Sequence, residues 1–212
     1  MTTRTALITA GGTRNPIDAI RALSAGSTGL TGIELARQVA GQFDVHLLGS
    51  TEACLRARLM SPELAHSEFG STRDLMAKVE AALRARPGGV LIHSAAVGDY
   101  EAAATDQKLP SGQRELVLGL TPTPKIVDNV REWDPDVFLV SFKAGSPDWS
   151  DEKLEAVARE QLERTHSDLV FANRLGQLGS SCMLLDAVGT RRFARREVAL
   201  AALGERVIEA RG

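Results

Sequence analysis

Cysteine is scarce in this chain. Of 212 residues only Cys54 and Cys182 are cysteine, far apart and without metal-ligand spacing. That excludes a disulfide scaffold and a zinc cluster and fits a reduced, cytoplasmic protein. Cys54 falls on a helical pattern and Cys182 opens a strand pattern, so both read as packing residues. The histidines His46, His66, His93 and His166 show no ligand spacing either, and no pattern identifies a metal site. His93, in a strand pattern, reads as a satisfied core residue. Nothing resembles a Ser-His-Asp or Cys-His unit, so hydrolysis by a protein nucleophile is not indicated. The single tyrosine, Tyr100, is followed four residues later by Ala104, which removes the Tyr-x-x-x-Lys pair of a short-chain dehydrogenase. Charge of one sign is also lacking. A net charge of -2 provides no basic field for nucleic acid. The local exception, Arg191-Arg192-Phe193-Ala194-Arg195-Arg196, reads as a solvated turn and helix start. Apolar runs are too short to cross a bilayer, and Leu7-Ile8 is broken by glycines and Arg14 before a signal-peptide core is reached. Internal repeats, low-complexity tracts and long linkers are absent.

What is present is an alternation of strand and helix patterns. Short apolar runs predict buried strands at Thr5–Thr9, Asp44–Leu48, Gly89–Ser94, Val137–Phe142 and Asp168–Ala172. Helical patterns cover Thr31–Gln42, Thr51–Leu59, Thr72–Arg86, Pro124–Trp133, Ser150–His166 and Arg196–Ala210. In the third, Leu75, Val79 and Leu83 recur at four-residue spacing on one face. The alternation predicts a single α/β domain over residues 1–212: a three-layer, doubly wound, mostly parallel Rossmann-like sheet. Two segments fall outside it. Leu116–Leu120 reads as an antiparallel addition or a dimerisation arm, and Cys182–Asp186 with Arg191–Phe193 as a terminal hairpin. The polar loop Glu101–Arg114, with Pro110 and Gly112, has the length of a mobile lid.

Ligands of such sheets sit beyond the carboxyl ends of the strands. Four chemistry-bearing segments follow strand candidates: residues 10–14, 95–99, 142–144 and 172–173. The first strand runs into Ala10-Gly11-Gly12-Thr13-Arg14, and a second small-residue loop, Ser24-Ala25-Gly26-Ser27-Thr28-Gly29, precedes the first helix. Glycine-rich turns before a helix let backbone N–H groups and the helix N-terminus approach a phosphate. They also occur as ordinary tight βα turns, and here neither the G-x-G-x-x-G spacing nor a Walker lysine is met. Arg14 and Arg21 are suited to phosphate or carboxylate, or to surface ion pairs.

The string Thr9-Ala10-Gly11-Gly12-Thr13-Arg14-Asn15-Pro16-Ile17-Asp18 resembles the opening of phosphopantothenate–cysteine ligases, also called phosphopantothenoylcysteine synthetases. Further matches follow in order: Ala95-Ala96-Val97-Gly98-Asp99-Tyr100, Thr123-Pro124-Lys125-Ile126-Val127, Val140-Ser141-Phe142-Lys143-Ala144 and Ala172-Asn173. The resemblance implies ligation of 4′-phosphopantothenate and cysteine through an acyl nucleotide in coenzyme A biosynthesis. It implies CTP or ATP as co-substrate, Mg²⁺, and a homodimer.

By the same resemblance, Gly11, Gly12, Ala95, Ala96, Asp99, Phe142 and Lys143 would bind nucleotide, with Asp99 toward the ribose and Phe142 near the base. Read alone, Phe142 is a core residue and Asp99 a helix cap. Arg14, Ser27, Thr28, Gly29 and Asn173 would bind substrate. Lys108, in Lys108-Leu109-Pro110, would be delivered by the lid to neutralise phosphate charge, and is otherwise a solvated loop cation. Two departures stand out. The family's loop S-N-x-S-S-G-K-M-G places its asparagine, associated with the cysteine step, on Ala25, and its lysine on Leu30. Neither side chain can hydrogen-bond. The alternative reading is therefore a nucleotide- or phosphate-binding protein that has lost cysteine ligation.

Overall fold

The structure is a computed structural model, and it describes residues 4–112, 114–176 and 182–212. Gln113, the last residue of the Lys108–Gln113 part of the expected lid, lies outside the described residues. The chain runs β1 (Thr5–Ala10), β2 (Arg14–Pro16), β3 (Ala22–Ser24), α1 (Leu30–Val39), β4 (Asp44–Gly49), α2 (Thr51–Met60) and β5 (His66–Glu68). It continues with α3 (Thr72–Ala85), β6 (Val90–His93), β7 (Tyr100–Ala102), β8 (Leu120–Pro122), α4 (Ile126–Trp133) and β9 (Phe138–Gly145). The last elements are α5 (Asp151–Thr165), β10 (Leu169–Arg174), β11 (Cys182–Leu185), β12 (Thr190–Phe193) and α6 (Arg196–Arg211).

Eight strands form one sheet in the order β12-β11-β10-β9-β6-β1-β4-β5. The pairs from β10 through β5 are parallel; β10-β11 and β11-β12 are antiparallel. This is the three-layer, mostly parallel α/β sheet expected from the alternation. The central strands read as apolar runs because both faces are covered. Ile8, Val140 and Phe171 join Ile33, Leu35 and Leu203 on the α1/α6 side. On the other side Leu7, Leu91 and Leu139 pack with Leu75, Val79 and Val130 of α3 and α4, while Val170 and Met183 pack with Leu154 of α5. Burying such side chains contributes roughly 1.5–3 kcal/mol each.

Helix starts are set by serines. Ser50, Ser71 and Ser150 each accept a backbone N–H at the N-terminus of α2, α3 and α5, contributions of about 1 kcal/mol apiece. The start of α1 differs: Gly29 takes φ 81 and caps without a side chain. Helix α4 begins at Ile126 rather than Pro124, with Lys125 extended at the N-cap.

The terminal hairpin forms as β11 and β12. The antiparallel addition forms too, but later in the chain than expected: Leu120–Pro122 pairs with Tyr100–Ala102. Leu116, Val117 and Leu118 precede that strand and stay exposed. The small β2-β3 ribbon and the edge strand β5 were not legible, being three residues each, with Pro16 and charged or polar side chains in place of an apolar run.

Candidate active site

Strands follow one another outward from β1 through β4 to β5. The chain then crosses back to β6 on the opposite side of β1 and proceeds outward through β9 and β10. The β1/β6 boundary is thus the topological switch point, where the loops leaving two neighbouring strands part and leave a crevice. The two loops are laced at their base. Ala96 N–H donates to the Gly11 carbonyl at 2.8 Å and Thr13 N–H to the Ala96 carbonyl at 3.0 Å. Thr9 Oγ1 accepts the Ala95 N–H at 3.1 Å and bonds His93 Nδ1 at 3.0 Å.

Above the lacing lies a cleft of about 940 Å³. Its floor is the Ser94–Val97 loop, and one wall is Gly26–Thr31 at the start of α1. The opposite wall is Phe142, Lys143, Ala144, Asn173 and Leu175 from the ends of β9 and β10. Asp99, Lys125, Gln161, Arg164 and Arg196 complete the rim. Phe142 stacks on the buried Phe171 at 5.1 Å between centroids. Beneath it Gln161 Nε2 donates to Ser141 Oγ at 2.9 Å and to the Phe142 carbonyl at 3.2 Å, fixing the end of β9.

Positive charge outweighs negative here. Lys125 is paired with Asp99 and Arg164 with Asp128. Among the described residues, no carboxylate pairs with Lys143 or Arg196. His93 is buried, and burial pushes its imidazolium down to about 4, so it is uncharged at neutral pH. No group of three or more metal-ligating side chains occurs among the described residues. The residues present therefore do not build a protein cage for Mg²⁺.

Of the residues marked in the sequence, the cleft gathers Ser27, Thr28, Gly29, Ala95, Ala96, Asp99, Phe142, Lys143 and Asn173. Gly11, Gly12, Arg14 and Lys108 are not in its lining. A Cβ on Gly11 would lie 2.0 Å from Ser50 Oγ, and one on Gly12 would lie 1.7 Å from the Ala25 carbonyl oxygen. The space these glycines leave open is filled by the chain's own atoms, not by an open phosphate cradle. Arg14 is exposed on β2, its backbone N–H bonded to the Gly70 carbonyl.

Lys108 is exposed on a loop clasped elsewhere. Leu109 N–H donates to Asp18 Oδ2 at 3.0 Å, and Arg21 Nη2 donates to the Leu109 carbonyl at 2.9 Å. Arg21 is thereby committed to an ion pair with the buried Asp18, and that guanidinium holds the Asp18 carboxyl well below the usual carboxylate range.

His93, Lys125, Gln161, Arg164 and Arg196 are cleft residues to which sequence reasoning gave no role. Lys125 carried a signal, its place in the Thr-Pro-Lys segment. Arg196 carried none: it reaches the cleft because α6 packs on α1, bringing its Nη2 to Thr31 Oγ1 at 2.8 Å across 165 residues of sequence.

A doubly wound sheet with a cationic, aromatic-walled cleft at its switch point defines an α/β protein of the class whose ligands sit beyond the strand ends. The chain belongs to the family described as the DNA/pantothenate metabolism flavoprotein C-terminal domain, which matches residues 1–188. It is 37% identical over 193 residues to the coenzyme A biosynthesis bifunctional protein CoaBC of Thermococcus kodakarensis, a match covering 90% of this chain and 46% of that protein. The Methanocaldococcus jannaschii protein of the same name is 27% identical over 81% of this chain and 40% of its own length. The chain thus spans under half the length of these relatives.

Among solved structures, the DNA/pantothenate metabolism flavoprotein of Streptococcus pneumoniae superposes with a TM-score of 0.85 at 25% identity, covering 98% of this chain and 99% of that one. A complex of a Cab2 mutant with phosphopantothenate-cysteine shares the fold, with a TM-score of 0.77 at 16% identity over 98% of this chain and 88% of that one.

Proposed function

We propose that this chain joins 4′-phosphopantothenate to cysteine at the expense of a nucleoside triphosphate. The observation that carries the reading is the convergence, in one switch-point cleft, of the Ser27–Gly29, Ala95–Asp99, Phe142–Lys143 and Asn173 segments of a family member. A relative that is a coenzyme A biosynthesis protein and a structural neighbour in complex with phosphopantothenate-cysteine support the substrates.

In this reading the pantothenate carboxylate attacks the α-phosphate, the bond to pyrophosphate breaks, and an acyl nucleotide forms. The cysteine amine then attacks the acyl carbon, the nucleoside monophosphate leaves, and the amine gives up a proton. The chain's residues position and neutralise; none acts as nucleophile. Backbone N–H groups of Ser27–Gly29 and Ala95–Ala96 hold phosphate and nucleoside. Phe142 packs beside the base, Asp99 turns from Lys125 toward the ribose, and Lys143 meets phosphate. Asn173 hydrogen-bonds the pantothenate arm through both its donor and its acceptor.

Lys108 acts after the lid leaves the Asp18–Arg21 clasp. Gly11 and Gly12 contribute by letting their loop close on Ala96 and Ala25. Arg14, exposed beside that loop, lends positive charge to the approach of an anionic substrate. Mg²⁺, held by the triphosphate rather than by a cluster of side chains, would supply further neutralisation of phosphate charge beside Lys143. The chain works as a homodimer, and the exposed apolar run Leu116–Leu118 is the pairing element.

The test is pyrophosphate release with 4′-phosphopantothenate and Mg²⁺, with CTP and with ATP in separate arms, with and without cysteine, and mass detection of products. Nucleotide-dependent formation of phosphopantothenoylcysteine is expected. One observation favours a second reading, nucleotide binding or activation without ligation: Ala25 and Leu30 place apolar side chains where the family loop has an asparagine and a lysine. Pyrophosphate release or a trapped acyl nucleotide without the amide would establish that reading. No release with either nucleotide from folded protein would remove the ligase.

A further inference from the structure

Beyond residue 188, where the family match ends, lies a residue that the proposed function leaves unused. Arg196 opens α6 and lines the cleft. Its guanidinium sits 5.0 Å over the Phe171 ring, and Phe171 in turn carries Phe142, the aromatic wall of the site. Nη2 donates to Thr31 Oγ1 in the first turn of α1 at 2.8 Å. Nη1 is buried with no hydrogen-bond partner. The buried Cys182 thiol is a further hydrogen-bond partner of Arg196, and burial pushes it up so that it stays a neutral one.

An arginine held this way is unusual in its charge balance. Its anchors, an aromatic ring, a hydroxyl and a thiol, fix its geometry, but none of them neutralises it. The charge is half removed from water, one of its N–H groups has no acceptor, and no carboxylate pairs with it among the described residues. Leaving a charged donor in that condition costs stability, and an anionic oxygen restores the balance. Such an oxygen has a place to sit. Ser27–Gly29 and the first turn of α1 line the same part of the cleft, and α1 has no side chain capping its N-terminus. Leu30 there brings no charge of its own. A pre-positioned guanidinium binds phosphate through parallel N–H donors with little loss of freedom.

We propose that Arg196 is an anion-binding residue of this cleft, taking a phosphate group of the bound ligand beside the start of α1. It supplies from the last helix the positive charge that Leu30 does not provide. The inference rests on reading the cleft as the ligand site, but not on whether ligation is completed there. The phosphate has two sources in the proposed reaction, the nucleotide and 4′-phosphopantothenate.

Binding is measured by calorimetry for CTP, ATP, 4′-phosphopantothenate and pyrophosphate, with cytidine and pantothenate as unphosphorylated controls. The proteins are the wild-type chain, Arg196→Gln, Arg196→Lys and Thr31→Val. Arg196→Gln is expected to weaken one phosphorylated probe at least tenfold and to leave its unphosphorylated counterpart within twofold. The probe affected identifies the source. Arg196→Lys recovers part of the loss. Thr31→Val, which removes an anchor but no charge, changes affinity less than Arg196→Gln even if both lower the melting temperature alike.

Unchanged affinity of Arg196→Gln for every phosphorylated probe would overturn the proposal and leave Arg196 as a strut between α6 and α1. So would a wild-type chain that binds none of them. Binding by wild type, lost in Arg196→Gln, with no product in the turnover assay would remove the ligase and leave this proposal standing.

Discussion

At the scale of single residues, His93 shows how a side chain can be core and site at once. It is 5% exposed, tied through Nδ1 to Thr9, and yet part of the cleft floor. Because burial holds it neutral, the unfolded chain binds more protons than the folded one at acid pH. The stability it contributes is fully present above 6.5, and it is lost as pH falls through the folded value of about 4. The full loss is about 3 kcal/mol. Urea unfolding of the wild-type chain and His93→Gln at pH 7 and pH 4.5 checks this. The variant is expected to lose about 2 kcal/mol less between the two pH values, and equal losses would refute the account. Thr9 accepts from Ala95 as well as bonding His93, so the same hydroxyl carries the imidazole and the loop that floors the cleft.

At the scale of elements, the clasp on the lid is the sharpest feature. Buried Asp18 accepts from Ile20 and Arg21 backbone N–H groups at 3.0 and 2.8 Å, from Arg21 Nε at 2.9 Å and from Leu109 N–H at 3.0 Å. With Arg21 holding the carboxyl down, the clasp's stability is present above the ordinary carboxylate value of 3.8 and is lost as pH falls below it toward the depressed folded value. Asp18→Asn is expected to free the 103–119 segment: limited proteolysis there should accelerate several-fold at pH 7 while the sheet retains its circular dichroism. An unchanged cleavage rate would show that the clasp does not hold the lid.

The long elements were legible because they carried patterns of their own: apolar runs for β1, β6, β9 and β10, and four-residue spacing for α3. The short ribbons were not, because Arg14–Pro16 and Tyr100–Ala102 have no pattern and exist only through the partners they meet. The same divide separates the site residues. Phe142, Asn173 and the Ala95–Asp99 loop were marked by the family resemblance, on segments that also follow strand patterns. The expected placing of Gly11 and Gly12 against a phosphate reflected their freedom to approach something closely, without information on what that would be. Arg196 was read as part of a solvated patch because four arginines in six residues look alike until one of them is packed against another helix.

At the scale of the whole molecule, one group of exposed apolar residues is clustered. Tyr100, Leu116, Val117, Leu118 and Leu120 fall on or beside the β7-β8 ribbon, with Val117 81% exposed. A ribbon of two strands is marginal by itself, and an isologous partner would extend it and cover those side chains. Val117→Asp is therefore expected to shift the chain from dimer to monomer in light scattering at micromolar concentration, at unchanged melting of the sheet. A wild-type monomer would end the dimer reading.

The lacing of the switch point has a temporal consequence. Gly11 and Ala96 are bonded across 85 residues, and the cleft is finished only by Arg196. During synthesis, the segment through β5 can wind up locally as it leaves the ribosome, with β1, β4 and β5 already adjacent. Its glycine loop nonetheless has no counterpart until β6 arrives, and the wall opposite needs β9 and β10. The start of α1 then waits for α6, 165 residues further along the chain. A nascent chain therefore becomes able to hold its ligand only after α6 has emerged and docked.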